Sequence, residues 1–501
     1  MNTEEPLTSP AIAPPPLGPP LPYEAPQSPF PQRTEKPVAR LSELALLLGA
    51  AFLLNIVART QVQSLAMSLA VVAIGSALFF GGRLQQRSSQ LLVAAAMALS
   101  PWFFVRAAGG LTAATFVAIA GLLALGAGLS RTGDLRNLKG AVMVQHAVAH
   151  AVEWLYGLAM VQRLVGDRGA GTRWSSVARG VMLAAPVVLV FGLLLGSADR
   201  IFANVLLVDD VPNSIGHIVL TIVLAIPLLG LLSHAAHKTE PTEVAVPRRL
   251  VSTEVTVVLG SVCLLFLAFV VTQVVVAMGG VEHVLETEGL TQAEHARRGF
   301  FQLLWVAALT LVLLGAIRSL RRIDDAAGRD RFRTLAIAIL GLTLVITAIS
   351  VQRLLFYVDA FGLTPLRFWV LASAGWIGLV ILGYLASVAG LGRPTSWFPG
   401  FMVVSAFVFV LGLNITNPDQ AVARYNLNNT PQEAELDIAE LASLSTDAIA
   451  ETLPTLRENA GNPNLSYVLC RPPSFDFGYG WLGANLSQER AEKHLAMLCN
   501  P

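Results

Sequence analysis

The sequence predicts an all-α protein: a polytopic bundle of transmembrane helices followed by a small helical extracytoplasmic C-terminal domain. Three observations carry this. Of 501 residues, 54% are hydrophobic and only 13% charged, a balance that cannot clothe a soluble surface. The mean hydropathy of +0.62 is spread over many apolar blocks separated by short polar or basic connectors, so it does not come from one anchor. Beyond Asn414 the composition turns polar. A formal charge of +1 with 34 basic residues excludes a strongly basic nucleic-acid binder, and the basic residues are better read by the membrane face they mark.

Residues 1–40 hold 12 of the 28 prolines, including Pro14, Pro15 and Pro16. Such a stretch buries no core and is expected to be a disordered cytoplasmic tail, with a protein partner for its Pro-rich segment as one option. The first apolar block begins at Leu41, so the first helix itself would direct insertion. Membrane-length blocks run Leu41 to Ala58, Ser64 to Phe80, Leu91 to Val105, Leu111 to Leu129, Val181 to Ala198, Ile218 to Ser233, Val255 to Met278, Phe300 to Ile317, Thr334 to Val351, Phe368 to Ala389 and Phe398 to Leu413. That makes about eleven spans, within a range of 10 to 12. Leu91 to Val105 is the least regular, with Pro101 near its end.

Basic residues test this count. Alternation from a cytoplasmic N-terminus puts 22 of them on cytoplasmic connectors, including Arg318, Arg321, Arg322, Arg329, Arg331 and Arg333. Seven fall on outside connectors: Arg59, Arg106, Arg200, Arg297, Arg298, Arg353 and Arg367. This bias places the C-terminus outside a cell membrane. Counting residues 141–165 as a span would reverse the second half. The block therefore reads as a cytoplasmic interfacial helix, with Trp154 and Tyr156 at headgroup depth and a basic linker to residue 180. Four spans in 41–130 and seven in 181–414 then flank it, and 415–501 forms the outer domain.

In that domain Thr430, Pro431, Gln432 and Glu433 open a helix in the manner of a capping box, ahead of Leu436, Ile438, Leu441 and Leu444. A second helix is expected from Thr446 towards Glu458, kinked at Pro454, and a third capped by Ser487. A disulfide would help so small a domain. Cys470 and Cys499, if outside, enter an oxidising compartment, and their pairing is expected to stabilise by roughly 3 to 4 kcal/mol. Cys263 stays reduced within its span.

No zinc signature, phosphate loop, dinucleotide fingerprint or nucleophile elbow occurs in a suitable context, so no cofactor and no catalytic residue is assigned and an enzyme is the least favoured class. His146, His150 and Glu153 share a helical face with metal-ligand spacing. Without a fourth ligand, the wet face of an interfacial helix is the simpler account. Polar groups near membrane depth tell more, because each carries an insertion penalty. Glu43 and Arg200 lie close enough to span ends to snorkel. Asn55 is a further candidate, and Gln273 and Arg353 are harder to dismiss, Arg353 pairing either with Asp359 or a carbonyl or serving a function. Residues 281–298, acidic early and basic late, read as another interfacial helix with Thr291 and Glu294 at its cap.

At these residues a resemblance enters. The stretch from Gly289 to Phe301, which contains Glu294, Arg297 and Arg298, the stretch from Arg353 to Arg367 with Tyr357 and Thr364, and the stretch from Asn414 to Asn426 with Asp419 resemble a bacterial multi-pass membrane family labelled domain of unknown function 4173. Ser197, Ala198 and Asp199, and Gln273 followed by Gly279 and Gly280, belong to the same pattern, which spans about Val181 to Asp447. His295 stands where that family has tyrosine. The resemblance implies a bacterial inner-membrane protein without assigned activity. It also makes Asp199, Gln273, Glu294, Arg297, Arg298, Arg353, Tyr357, Thr364, Arg367 and Asp419 the candidate polar site, gathered at the outside face. Three classes follow in order: a transporter or lipid- and envelope-component handler, a signalling or scaffold protein acting through tail and outer domain, and a membrane-embedded enzyme. Membrane lipids are the expected partners, nucleic acid is not, and the sequence leaves the oligomeric state open.

Overall fold

The computed structural model describes residues 39–60, 64–81, 84–130, 213–236, 250–275, 278, 300–320, 326–391, 397–429, 438–458 and 480–499. The Pro-rich tail, the span expected at Val181 to Ala198, the interfacial helices expected over 141–165 and 281–298, the capping box at Thr430 and the Cys470 position all lie outside these residues.

The described chain is all-α. Its first group comprises α1 (Leu41–Thr60), α2 (Leu65–Phe80), α3 (Arg87–Leu99), the single turn α4 (Trp102–Val105), α5 (Gly109–Gly128) and α6 (Asn213–Ala236). Long uncharged runs make helices here because the backbone can satisfy its own hydrogen bonds without water. Their facing sides share one core through Leu47, Ala70, Ile74, Leu92, Leu122 and Leu232. Close approach is permitted at Gly126, where an added Cβ would lie 2.8 Å from Val93 and where the Ser89 hydroxyl donates to the Gly126 carbonyl. Small residues at such a crossing let two backbones meet without the side-chain bulk that would hold them apart.

A second group comprises α7 (Ser252–Val275), α8 (Phe300–Leu320), α9 (Ala326–Phe361) and α10 (Pro365–Ala389), packed through Leu259, Leu314, Ile339, Leu340 and Ile381. Helix α11 (Trp397–Thr416) joins the two groups, touching both α10 and α5. Thr310, Thr343 and Thr347 return their hydroxyl protons to carbonyls one turn back, so these polar groups are internally satisfied at membrane depth. Helix α10 stops at Gly390, whose φ of 82° closes the helix in the left-handed conformation that glycine adopts without penalty.

Among the described residues, eight helices are long and apolar enough to cross a membrane, and α2 and the apolar part of α6 are shorter apolar helices of the same kind. Several boundaries differ from the sequence expectation. The third block begins earlier, at Arg87, and breaks at Ser100 before Pro101, because proline cannot donate to the preceding turn. Helix α9 continues ten residues beyond Val351 to Phe361. Arg353 therefore belongs to a helix and not to a connector. Arg367 likewise lies inside α10, which starts at Pro365 with proline in the first turn and Thr364 as its cap. Glu43 does not snorkel: it is 1% exposed and accepts from the Arg40 backbone amide at 2.8 Å, so it caps the first turn of its own helix.

Polar residues after Thr416 form α12 (Pro418–Asn428), a helix the sequence reading left unassigned, then α13 (Ile438–Ser443), a 3-10 turn (Thr446–Ala448), α14 (Ile449–Glu458) with Pro454 inside, a second 3-10 turn (Gly480–Gly483) and α15 (Leu486–Cys499). The cap of α15 is Asn485 and not Ser487. Asn485 Oδ1 accepts from the amides of Ser487 and Gln488 at 3.0 and 3.2 Å. The Ser487 hydroxyl instead meets that of Thr446 at 2.9 Å.

These C-terminal helices sit on one end of the bundle. The Leu65 amide donates to the Ala484 carbonyl at 3.1 Å, which places the start of α2 at this docked end. The far end is marked by contacts such as the Ser130 hydroxyl on the Ala235 carbonyl at 2.7 Å and the Leu250 amide on the Leu320 carbonyl at 3.0 Å. Helices α5 and α6 consequently run in the same direction. The chain leaves the first at the far end and enters the second at the docked end. Cys263 is a free thiol within α7.

Candidate functional site

Polar chemistry concentrates at the docked end in two neighbouring arrangements. The first is a clasp between the C-terminal helices and the span ends. Asp447 Oδ2 accepts from the amides of Ala107 and Ala108 at 3.0 and 2.9 Å, the two residues just before α5, at the positive end of its dipole. The Arg106 guanidinium does the reverse for α11, donating through Nε and Nη2 to the Asn414 carbonyl at 2.9 and 2.7 Å, where that helix ends in free carbonyls. Burial pulls the Arg106 guanidinium below its ordinary value; Asp447 opposes the effect and Arg490 adds to it.

Asn485 Nδ2 adds bonds to the carbonyls of Phe103 and Arg106 at 3.2 and 2.9 Å. Asn414 Nδ2 donates inward to Thr115 Oγ1 at 2.9 Å, tying α11 to α5. Asn417 takes a positive φ of 55°, a conformation asparagine tolerates better than most side chains, and its amide donates to the Asp447 carbonyl at 3.0 Å. Asp419 is buried and accepts from the Ser445 amide at 3.1 Å. Further out, Gln420 and Arg424 donate to Glu451 at 3.0 and 2.5 Å. Those bonds hold its carboxyl below the usual carboxylate range.

The second arrangement lies between α7 and α10. Arg353 Nη2 donates to Gln273 Oε1 at 2.6 Å across α7 and α9. One turn on, Tyr357 presents its ring to Arg367, whose guanidinium carbon is 4.3 Å from the ring centroid. Arg367 also donates to the carbonyls of Phe361 and Gly362 at the end of α9, while its amide donates to Thr364 Oγ1 at 3.3 Å. Asn426 holds the intervening turn from both sides, donating to the Leu363 carbonyl at 2.7 Å and accepting from the Leu363 amide at 2.8 Å. The Tyr425 hydroxyl donates to Asp359 at 3.4 Å; burial first, and then that carboxylate, raise its pKa.

Of the ten residues expected to share a site, Gln273 with Arg353, and Tyr357 with Thr364 and Arg367, come together. Asp419 belongs to the clasp. Asp199, Glu294, Arg297 and Arg298 lie outside the described residues, as do His146, His150 and Glu153. Among the described residues, no three His, Cys, Asp or Glu side chains gather as metal ligands. Sequence reasoning missed Arg106, Asp447 and Asn485, whose partners are main-chain groups at helix ends far away in the chain, and Asn414, whose side chain reaches Thr115 from 299 residues away. It named Asn55 but not its environment. Asn55, 0% exposed, donates to His217 Nδ1, the His217 carbonyl and Thr221 Oγ1 at 2.9, 3.1 and 3.0 Å and accepts from Arg59 Nε at 3.1 Å.

No curated protein and no solved structure matches the chain. The family model described as Domain of unknown function (DUF4153) matches residues 91–453. This corrects the expected family label, 4173, and its extent: the match takes in α5 and most of α3, which the resemblance left out. It ends inside α14, so it includes the Arg353 pairing and the clasp residues Arg106, Asn414, Asp419 and Asp447, while Asn485 lies beyond it. The chain therefore belongs to the DUF4153 family, as a multi-pass membrane protein whose domain carries no assigned function.

Proposed function

We propose that the protein handles a lipid or another envelope component at the docked end of its bundle, with that end facing outside and the N-terminus in the cytoplasm. The observation that carries this reading is Arg353. It is a half-buried cation within a membrane-spanning helix, and among the described residues its one hydrogen bond is to the neutral side chain of Gln273. A cation near a span end with no counter-charge beside it is ordinarily met by water or by a bound group. The orientation is supported by the basic residues near the far end, including Arg87, Arg318, Arg331 and Arg333, which suit the cytoplasmic side.

Reconstitution into vesicles carrying a headgroup-labelled fluorescent phospholipid tests the reading. The wild-type protein should move the label between leaflets faster than protein-free vesicles do. Equal rates in the two preparations would sink lipid movement as its activity.

A further inference from the structure

Helix α9 gives its own depth scale. Between Arg333 and Arg353 the chain carries no charged residue over Thr334 to Gln352. Twenty residues at 1.5 Å per residue separate the two arginines by about 30 Å, the thickness of the hydrocarbon layer. Each arginine thus sits at one hydrocarbon boundary, the level of lipid phosphates.

Their surroundings differ. Arg333 lies at the far end and donates to the Ala389 carbonyl at the close of α10, an ordinary partner for a cation at a helix C-terminus. Arg353 reaches Gln273 instead. The glutamine oxygen occupies one edge of the guanidinium and fixes its plane, while the remaining N–H groups find no other partner among the described residues. Arginine presents those groups as a planar fork suited to two oxygens of one phosphate.

The flanks of the pair are apolar and open. Val271, Val274 and Val275 on α7 and Leu355 and Phe356 on α9 are exposed, Val275 at 60% and Phe356 at 61%. Val271, inward of Gln273, faces acyl chains, and the other four lie level with the arginine or within one turn of it on the aqueous side. The seam therefore offers a cation at phosphate depth with exposed apolar side chains on both sides. Tyr357 and Arg367 stand one turn nearer the aqueous face, where headgroup atoms beyond the phosphate would lie.

We propose that Arg353, oriented by Gln273, binds the phosphate of a single phospholipid in the docked-end leaflet, with Tyr357 and Arg367 facing its headgroup. This names the ligand of the site on which the lipid-handling reading rests. A soluble phosphate would satisfy the fork but not the apolar flanks, so the lipid is the favoured source.

The test is native mass spectrometry of the detergent-solubilised full chain with added dioleoyl phosphatidylglycerol, set against dioleoylglycerol, which lacks the phosphate. One phosphatidylglycerol should remain bound under activation that strips dioleoylglycerol. R353Q should weaken that retention by at least about tenfold, a loss of about 1.4 kcal/mol, and Q273A should weaken it less. R333Q, which alters the arginine at the other boundary, should leave it unchanged. R353K separates fork from charge: retention closer to R353Q than to the wild type supports two-oxygen recognition.

Equal losses in R333Q and R353Q, or no loss in R353Q, would overturn the proposal by reducing the pair to ordinary headgroup contact. Displacement of the lipid by millimolar inorganic phosphate would overturn the lipid as the source. Undiminished lipid retention in R353Q alongside wild-type label movement in vesicles would remove only this ligand assignment. Arg353-dependent retention without any label movement would support the assignment while removing lipid movement.

Discussion

At the scale of single residues, the docked end is governed by helix termini more than by side-chain pairs. Asp447 satisfies two amides just ahead of α5, and Arg106 satisfies a carbonyl in the last turn of α11. Each side chain therefore meets a partial charge of opposite sign that the helix cannot neutralise alone. Asp447→Ala should lower stability by about 2 kcal/mol, read as a fall in thermal midpoint and as faster amide exchange at Ala107 and Ala108. An unchanged exchange rate at both amides would show that the carboxylate is not their cap. Glu451 supplies the pH dependence. Its carboxyl is held below the ordinary range by Arg424 and Gln420, so its contribution is full above the unfolded-state pKa and is lost as pH falls through the depressed folded value. Arg424 is exposed and Glu451 half-buried, so solvent screening should keep the effect under about 1 kcal/mol. Comparing thermal midpoints at neutral and acidic pH in the wild type and in Glu451→Gln isolates it, because the variant has no such proton to gain.

At the scale of elements, packing between spans depends on where backbones are allowed to approach. The α3 and α5 contact uses Gly126 against Val93, and the hydroxyl of Ser89 on the facing carbonyl shows how near the two helices come. Gly126→Leu adds bulk where even a Cβ meets Val93, and should destabilise by about 1 to 3 kcal/mol through forced repacking. Gly121→Leu is the control, since an added Cβ there meets nothing within 4 Å. Equal midpoints for the two variants would remove Gly126 as a packing determinant. The sequence reading found most span elements because an uncharged run of membrane length has few alternatives to a helix. It stopped α9 too early because hydropathy falls at Gln352 and Arg353. The backbone nevertheless stays helical there, since side chains can find polar partners while the ladder of hydrogen bonds continues. It missed α12 for a related reason: that helix is polar, and its docking is supplied by Val422 and Ala423 against distant residues.

At the scale of the whole molecule, orientation is the property most directly open to test. The Asn55 contact with His217 and the Ser130 contact with Ala235 put the two termini of α6 at opposite ends of the bundle. Single cysteines at Ser214 and at Thr242, in a background lacking the native thiols, should therefore label from opposite sides of the membrane, Ser214 from outside. Labelling of both from the same side would overturn α6 as a span, and labelling of Ser214 from inside would reverse its orientation.

What the sequence determined alone was the helical, multi-pass architecture and the polar character of the C-terminal segment, because hydropathy and span length are local properties of the chain. It also drew attention to Gln273 and Arg353, since a polar side chain in an apolar run is conspicuous without knowing its partner. Tertiary structure decided the rest. It paired Arg353 with Gln273 from 80 residues away, assigned Asp419 to the clasp, and brought Asp447 to an amide 340 residues earlier. The physical reason is that the partners at the docked end are mostly main-chain groups at helix ends. Every helix supplies such groups whatever its sequence, and only the fold selects which end a given side chain can reach.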